Sequence, residues 1–182
     1  MPAITRAELR TALTGFEHTA FRLELLPFYA EDAESDALQA FADGREPDVY
    51  PGKQRWQEAV RAAASGGRIM QRVHVVSEPL SVYLRFEIGW SYPLNHEAGE
   101  DIRILRREHA PTAVTSAGDY WLLDSRTLIR MLYNGGELAA IDHVTDPDII
   151  VAAGYGRDAA LHHAVPLTQY LTAQGPQLQH AS

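Results

Sequence analysis

The chain of 182 residues contains no cysteine and very little lysine. The missing cysteine excludes disulfide bonds, thiolate nucleophiles and cysteine-ligated zinc or iron–sulfur centres. Asp and Glu number 24 against 16 Lys and Arg, which gives a formal net charge of −8, and Lys53 is the single lysine. An acidic chain without clustered cations lacks the broad phosphate-binding surface that nucleic acids require, so no direct binding to nucleic acid is expected.

Long hydrophobic runs are also missing. No stretch approaches the roughly 20 consecutive apolar residues of a membrane-spanning helix, and the first residues lack the apolar core of a secretory signal. Apolar content of 46% and charged content of 22% are ordinary for a globular protein. The sequence therefore predicts a cytoplasmic protein that makes no membrane contact.

The length predicts a single domain over residues 1–182, because a chain of this size buries a substantial core. Within it we distinguish an amino-terminal subregion over 1–52, an α/β core over 53–172 and a frayed tail over 173–182. The proline- and glycine-containing stretch 45–52 is the only linker-like segment.

The first half of the sequence predicts alternating helices and strands. Thr5 and Glu8 form a capping box, which predicts a short helix to residue 13. The alternation of Phe21, Leu23 and Leu25 predicts a strand that ends at Pro27. The next expected elements are helices over 31–42 and 54–64 and a strand over 69–76 that is rich in β-branched residues.

Pro79 is expected in the first turn of a helix that runs to Tyr92 and ends at Pro93. Short strands are expected over 101–105 and 120–123. Two alternating runs, 127–133 and 138–144, are joined by Asn134-Gly-Gly, which is typical of a β-hairpin. A last helical region over 145–170 is expected to break near Gly154–Gly156 and again at Pro166. The fold class is therefore α/β or α+β, with a single mixed sheet flanked by helices and a carboxyl-terminal hairpin and helix.

Candidate site residues cluster on the strand over 69–76 and the helix after it. Arg72 and His74 project from one face of the strand, since strand side chains alternate, and Tyr83, Glu87 and Trp90 form one helical stripe. Open α/β sheets bind ligands where a strand meets the following helix. The predicted ligand-binding residues are Arg72, His74, Tyr83, Arg85, Glu87, Trp90 and Asp124.

A purely structural interpretation stays open for several of these residues. Arg72 or Arg85 would pair with Glu87 or Asp101 and fix the helix to the sheet. Asp124 follows an apolar strand and precedes Ser125, which is typical of a residue that caps a turn.

Motifs for catalysis, metals and cofactors are missing. The sequence has no Gly-x-Ser-x-Gly elbow, no Walker loop and no Gly-x-Gly-x-x-Gly after a strand. Asp158 lies four residues before His162, a spacing that suits a metal-binding pair, with His143 or Asp142 as a third ligand. Because no ligand-spaced motif accompanies this pair, we expect no metal and no cofactor.

Four segments carry a resemblance to a known family: Arg72-Val-His-Val-Val-Ser-Glu-Pro, Ala98-Gly-Glu-Asp-Ile-Arg, Tyr120-Trp-Leu-Leu-Asp and His163-Ala-Val-Pro-Leu-Thr-Gln-Tyr. Together they resemble an actinobacterial domain-of-unknown-function family, numbered 6879, over about residues 21–170. Members of that family are frequent neighbours of helix-turn-helix regulators and small partner proteins. The resemblance therefore implies an accessory role beside a transcription regulator.

The order of elements around Ile102-Arg-Ile-Leu and Trp121-Leu-Leu-Asp is similar to a phospholipase-D-like half-domain. Catalytic members of that superfamily carry His-x-Lys followed four residues later by Asp, and no histidine here has a lysine two residues on. The resemblance implies a degenerate version that senses or binds, without catalytic residues.

Two functional hypotheses follow. The favoured one is a non-catalytic regulatory or ligand-binding protein, accessory to a helix-turn-helix transcription regulator, that recognises a small anionic ligand or a protein partner and forms a homodimer. The alternative is a small biosynthetic enzyme for a low-molecular-weight substrate, with His74 as acid/base and Glu87 or Arg72 orienting it.

Overall fold

The structure of the protein, a computed structural model, describes residues 2–174 and Leu178. Within that part of the chain, seven strands form one sheet in the order β6-β5-β4-β1-β2-β3-β7. β1, β2 and β3 are parallel, and the remaining pairs are antiparallel. The strands are β1 (Thr19–Glu24), β2 (Ile69–Val76), β3 (Asp101–Arg106), β4 (Asp119–Leu123), β5 (Thr127–Asn134), β6 (Glu137–Val144) and β7 (Val165–Pro166).

Helices cover both faces of this mixed sheet, which confirms the predicted fold class. They are α1 (Arg6–Gly15), α2 (Ser35–Ala42), α3 (Pro51–Ser65), α4 (Val82–Phe86), α5 (Tyr92–Ala98), α6 (Thr112–Thr115), α7 (Pro147–His163) and α8 (Leu167–Gln174). A π-helical turn, Glu87–Ser91, joins α4 to α5. Apart from Leu178, the predicted frayed tail beyond residue 174 lies outside the described residues.

One face of the sheet is apolar. Phe21 and Leu23 of β1 and Val73 and Val75 of β2 are buried there under α6 and α7. The predicted strand over 69–76 is confirmed in its bounds and its burial, and β1 lies beside it at the centre of the sheet.

The opposite face carries charge. The register pairs Arg22 of β1 with Arg72 of β2, and Glu24 with His74. All four side chains project from this second face, because residues two apart on a strand share a face. Apolar residues of α1 and α3 pack on its other part, around Trp121.

Two predicted helix boundaries are wrong. Ser81 caps α4 by accepting the Leu84 N–H, so Pro79 precedes the helix instead of standing in its first turn. Pro93 does not end the helix, because the chain continues as α5 to Ala98. The first turn of a helical segment tolerates a proline, since its missing N–H needs no partner there.

The predicted break at Gly154–Gly156 is also wrong, because α7 runs through both glycines. Gly156 lets the helix lie close to the sheet: a Cβ there would lie 3.4 Å from the Tyr120 hydroxyl, which donates to the Ala153 carbonyl. The break at Pro166 is confirmed, since β7 separates α7 from α8.

Two turn signals are confirmed. Thr5 and Glu8 form the capping box of α1. The hairpin of β5 and β6 turns at Gly135 and Gly136, whose φ angles of 60° and 91° lie in the left-handed region that glycine adopts without strain.

Candidate functional site

A partly open cavity of about 350 Å³ lies over the charged face, at the carboxyl ends of β1 and β2. The β1–α2 segment, α3 and the π-helical turn surround it. Its lining combines charged residues with aromatic ones, a pattern that suits a small polar ligand. The polar and aromatic residues of the lining include Arg22, Glu24, Tyr29, Glu34, Tyr50, Lys53, Trp56, Arg72, Tyr83, Glu87, Ser91, Asn95, Trp121 and Tyr133.

A buried network of arginines and carboxylates forms the floor of this cavity. Glu24 Oε1 accepts from Arg22 Nε at 3.2 Å and from Arg72 Nη1 at 2.8 Å. Arg72 Nε also donates to Glu100 at 2.8 Å, and Arg22 Nη2 lies 3.4 Å from Asp119 Oδ2. Although burial opposes it, Arg72 and Arg22 hold the pKa of Glu24 well below its usual range. The floor is therefore internally neutralised.

His74 lies beneath this floor, fully buried, and does not line the cavity. Its Nε2 is 2.9 Å from the Leu26 carbonyl oxygen, and its Nδ1 is 2.7 Å from the Tyr92 hydroxyl, which also lies 2.9 Å from Glu24 Oε2. Burial lowers the pKa of His74, and its Nε2–H donates to the Leu26 carbonyl, because a carbonyl oxygen can only accept. His74 therefore supports the network through hydrogen bonds, and it does not contact the cavity in which a molecule would bind.

The wall of the cavity holds a second set of charged residues, Lys53, Glu34 and Glu87, whose partners differ in kind from those of the floor. Lys53 Nζ donates to Ser91 Oγ and, at 3.1 Å, to Asn95 Oδ1. Glu34 Oε2 accepts from the Tyr50 hydroxyl at 3.1 Å. Among the residues the structure describes, neither Glu34 nor Glu87 has an ion-pair partner within 4.0 Å.

Protonation of this wall is perturbed by burial. Burial and the neighbouring Glu34 raise the pKa of Glu87 to about 8. Burial raises the pKa of Glu34 and lowers that of Lys53. Desolvation disfavours the charged form in each case. Perturbed groups of this kind, facing a cavity, are typical of functional sites.

Three buried polar atoms around the cavity have no hydrogen-bond partner among residues 2–174 and Leu178: Arg22 Nη1, Glu34 Oε1 and Glu87 Oε1. Such atoms are rare in folded proteins, because an unpaired buried polar group costs about 1–3 kcal/mol. Their grouping around one cavity makes this cavity the candidate functional site.

Aromatic side chains supply the rest of the lining. Several of them are fixed by hydrogen bonds to the charged groups: Tyr29 donates to Asp119, Tyr133 accepts from Arg22 Nη2 at 3.1 Å, and Trp56 donates to Glu100 at 3.0 Å. Their flat faces are therefore held in place, which suits recognition of a small molecule.

Of the predicted site residues, Arg72, Tyr83 and Glu87 line the cavity together. Trp90 does not, since its ring stacks on Phe86 with centroids 5.2 Å apart. The π-helical turn explains this placement: its wider turn places Ser91 on the stripe of Tyr83 and Glu87 where Trp90 was expected.

Arg85 and Asp124 lie away from this cavity. Arg85 points to the side of α4 that faces Glu78 and Leu178, off the stripe that lines the cavity. Asp124 sits at the opposite end of β1, where its carboxylate accepts the N–H groups of Glu17, His18 and Thr19. Asp124 therefore holds the bend that precedes β1.

The structural alternative for the arginines has the wrong partners. Arg72 pairs with Glu24 and Glu100 instead of Glu87 or Asp101. Within the described residues, Arg85 has no ion-pair partner, and Asp101 pairs with Arg103. These buried ion pairs join β1 and β2 to each other and to Glu100, the residue directly before β3. They do not fix α4 to the sheet.

Sequence reasoning missed Arg22, Glu24, Glu34 and Lys53. A signal existed for the first two, because charged residues alternate with Phe21, Leu23 and Leu25 in a strand bounded by apolar segments. Lys53, as the single lysine, had a weaker one. Glu34 offered none, since it stands in an acidic segment that is typical of a solvated helix.

The sequence that forms this site matches a known protein family. Residues 7–172 match a domain of unknown function, DUF6879. The chain belongs to this family. No curated protein matches the sequence.

The fold of this DUF6879 member is similar to the crystal structure of a phospholipase D family member, Nuc from Salmonella typhimurium. The TM-score is 0.54 at 12% identity, over 90% of this chain and 91% of that one. At that identity the likeness shows the fold alone, and it confirms the phospholipase-D-like architecture.

No helix in residues 2–174 is both long and apolar enough to cross a bilayer. The same residues contain no group of three or more His, Asp or Glu side chains placed to hold a metal ion. Asp158, half of the candidate metal pair, accepts from Arg157 Nε at 2.8 Å.

Proposed function

We propose that this protein is a non-catalytic ligand-binding domain whose cavity over β1 and β2 takes a small polar molecule and thereby regulates a protein partner. The observation that carries the proposal is the grouping of Arg22 Nη1, Glu34 Oε1 and Glu87 Oε1, buried and without partners, around one cavity. A bound molecule that supplies those partners would stabilise the folded state.

A regulatory role is supported by the way the cavity is assembled. Glu34 belongs to the segment before α2, Lys53 to α3 and Glu87 to the π-helical turn. A ligand that contacts all three ties together segments that are distant in sequence. Such a ligand shifts the populations of their arrangements by its differential affinity, and a partner protein can read that shift.

The identity of the partner rests on the family resemblance. Members of the family that this sequence resembles are neighbours of helix-turn-helix regulators. This arrangement supports a cytoplasmic accessory protein in an actinobacterium, and we propose that the protein forms a homodimer. An anionic ligand group would find Arg22 Nη1, since the other guanidinium contacts of the floor are occupied by carboxylates.

An enzyme that uses His74 has less support. The ring is fully buried and both nitrogens already have partners, so proton transfer to a substrate would require the floor to open. Turnover of a small substrate that disappears in His74→Gln, with the fold intact, would favour the enzyme instead.

The proposal is tested by thermal unfolding in the presence of a library of polar metabolites divided into cations, anions, zwitterions and neutral molecules. We expect at least one class to raise the melting temperature, and Tyr83→Ala, which removes a wall of the cavity, to abolish the rise. Glu58→Gln, an exposed position on α3, is the matched control. No response from any class would contradict the proposed function.

A further inference from the structure

We infer that the ligand carries a positively charged amine, which the carboxylates of Glu34 and Glu87 bind beside the rings of Tyr50 and Tyr83. This inference rests on the proposed function and names the chemical class of the ligand. It differs from the anionic ligand that the sequence predicts, and it starts from how the charges of the cavity are paired.

The positive groups of the cavity are already engaged. Both arginines of the floor contact Glu24, and each has a further carboxylate, Asp119 for Arg22 and Glu100 for Arg72. Lys53 directs its ammonium to Ser91 and Asn95. The two arginines therefore offer an anionic ligand little free positive charge, whereas Lys53 has neutral acceptors and no carboxylate within 4.0 Å among the described residues.

The negative groups of the wall are not engaged in this way. Glu34 is 9% exposed and Glu87 is 7% exposed, and neither has a cation within 4.0 Å among the described residues. One carboxylate oxygen on each has no hydrogen-bond partner. Buried carboxylates in proteins are ordinarily paired with a cation, because an isolated buried charge is strongly unfavourable. The charge of Lys53 acts on both carboxylates without an ion pair to either, and the cation that would pair with them is the group we assign to the ligand.

Aromatic rings beside the two carboxylates strengthen this assignment. Tyr50 donates to Glu34 at 3.1 Å, and the carboxylates of Glu34 and Glu87 both act on the phenols of Tyr50 and Tyr83 and raise the pKa of each, after burial itself. Both residues line the cavity, and an aromatic ring face that a cation can reach contributes about 0.5–2 kcal/mol. Carboxylates combined with aromatic rings form a binding site for an organic ammonium group.

The size of the cavity limits the rest of the ligand. About 350 Å³ lies at the small end of the range for ligand sites, which is roughly 300–1,000 Å³. The ligand is therefore a low-molecular-weight amine, and the unpaired Arg22 Nη1 offers one hydrogen bond to an acceptor at its other end.

Isothermal titration with four probes of matched length tests the charge of the ligand: n-butylamine, n-butanol, n-butyrate and 4-aminobutyrate. We expect n-butylamine and 4-aminobutyrate to bind, and n-butanol to bind at least tenfold more weakly or not at all. Glu34→Gln and Glu87→Gln should each weaken n-butylamine binding at least tenfold, while Glu58→Gln should match the unsubstituted protein.

The outcomes separate the two proposals. Binding of n-butyrate alone, or equal binding of n-butanol and n-butylamine, overturns the amine and leaves the ligand-binding function standing. Magnesium chloride is a further arm: stabilisation by this salt but not by n-butylamine would mean an inorganic cation site and would also overturn the amine. Failure of these probes and of the wider metabolite library would remove the ligand-binding function itself.

A second measurement needs no variant. An ammonium group binds ionised carboxylates, so n-butylamine should displace the proton that Glu87 holds near pH 7, and n-butanol should not. Titration in two buffers of different ionisation enthalpy reports that proton release, and its absence with bound n-butylamine would overturn the inference. The titratable and charged groups that face these two carboxylates are Glu24, Glu31, Tyr50, Lys53, Arg72 and Tyr83.

Discussion

The two faces of strands β1 and β2 differ in how far the described residues pack or pair the groups that are buried there. On β1 and β2, Phe21, Leu23, Val73 and Val75 fill one face and pack under α6 and α7. The residues between them form the charged floor of the cavity, and three buried polar atoms around the cavity have no hydrogen-bond partner among the described residues. The apolar face is filled by packing, whereas the charged face keeps buried polar atoms that no described residue pairs, and the proposed ligand would supply those partners.

The largest expected effect is on the charged floor. Glu24→Gln should lower the free energy of unfolding by about 3–5 kcal/mol, because Arg22 and Arg72 lose the carboxylate that neutralises both. Urea unfolding of the variant and of Glu58→Gln measures it. A loss no larger than that of the exposed control would mean that the two arginines do not depend on this pair.

The apolar face should respond next. Val73→Ala or Val75→Ala should lower the free energy of unfolding by roughly 2–4 kcal/mol, through lost burial and the cavity left behind. Equilibrium denaturation is again the measurement, and a loss below about 0.5 kcal/mol would show that the strand is not part of the core.

Because of Glu87, the stability of the charged face should depend on pH. Its pKa is raised from 4.5 to about 8 by burial and by Glu34, so the folded protein keeps a proton that the unfolded chain releases. The stability that this proton gives is complete below about pH 4.5 and is lost as the pH rises through about 8. Glu87→Gln removes that loss and should make the protein more stable than the unsubstituted chain at pH 9, by about 1–3 kcal/mol.

The control for this prediction is the same pair of proteins at pH 5, where the difference should be small. Thermal unfolding at both pH values measures it. An equal difference at pH 5 and pH 9 would mean that Glu87 titrates normally in the folded protein.

The smallest effect concerns α7, which covers the apolar face. Gly154→Ala should stabilise the protein by about 0.5–1 kcal/mol, because a Cβ there meets no atom within 4 Å and alanine favours helix over glycine. Gly136→Ala is the opposite case, since its φ of 91° and a Phe28 ring atom 2.8 Å from the added Cβ both disfavour it. A loss of stability in Gly154→Ala would mean that α7 bends at its glycines after all.

Local patterns predicted the sheet well because its signals lie within short stretches. The β-branched run over 69–76, the Asn134-Gly-Gly turn and the capping box at Thr5 each determine one element by themselves. Pro93 misled the prediction, because a proline ends a helix or starts one according to the turn before it. Here a π-helical turn precedes it.

The cavity was harder to predict because its parts come from distant segments. Arg72, Tyr83 and Glu87 stand on one strand and the helix after it, and their periodicity places them together. Glu34 and Lys53 reach the cavity through the packing of α2 and α3, which no local pattern encodes. The π-helical turn moved Trp90 away, and a period of 3.6 residues does not anticipate such a turn.

The most direct test is a carbon-13 NMR titration of the Glu87 side-chain carboxyl, with and without n-butylamine. A charged face that lacks its cation predicts a titration midpoint near 8 for the free protein and a clear downward shift when the amine is present. A midpoint near the ordinary 4.5 that n-butylamine leaves unchanged would contradict this account of the cavity.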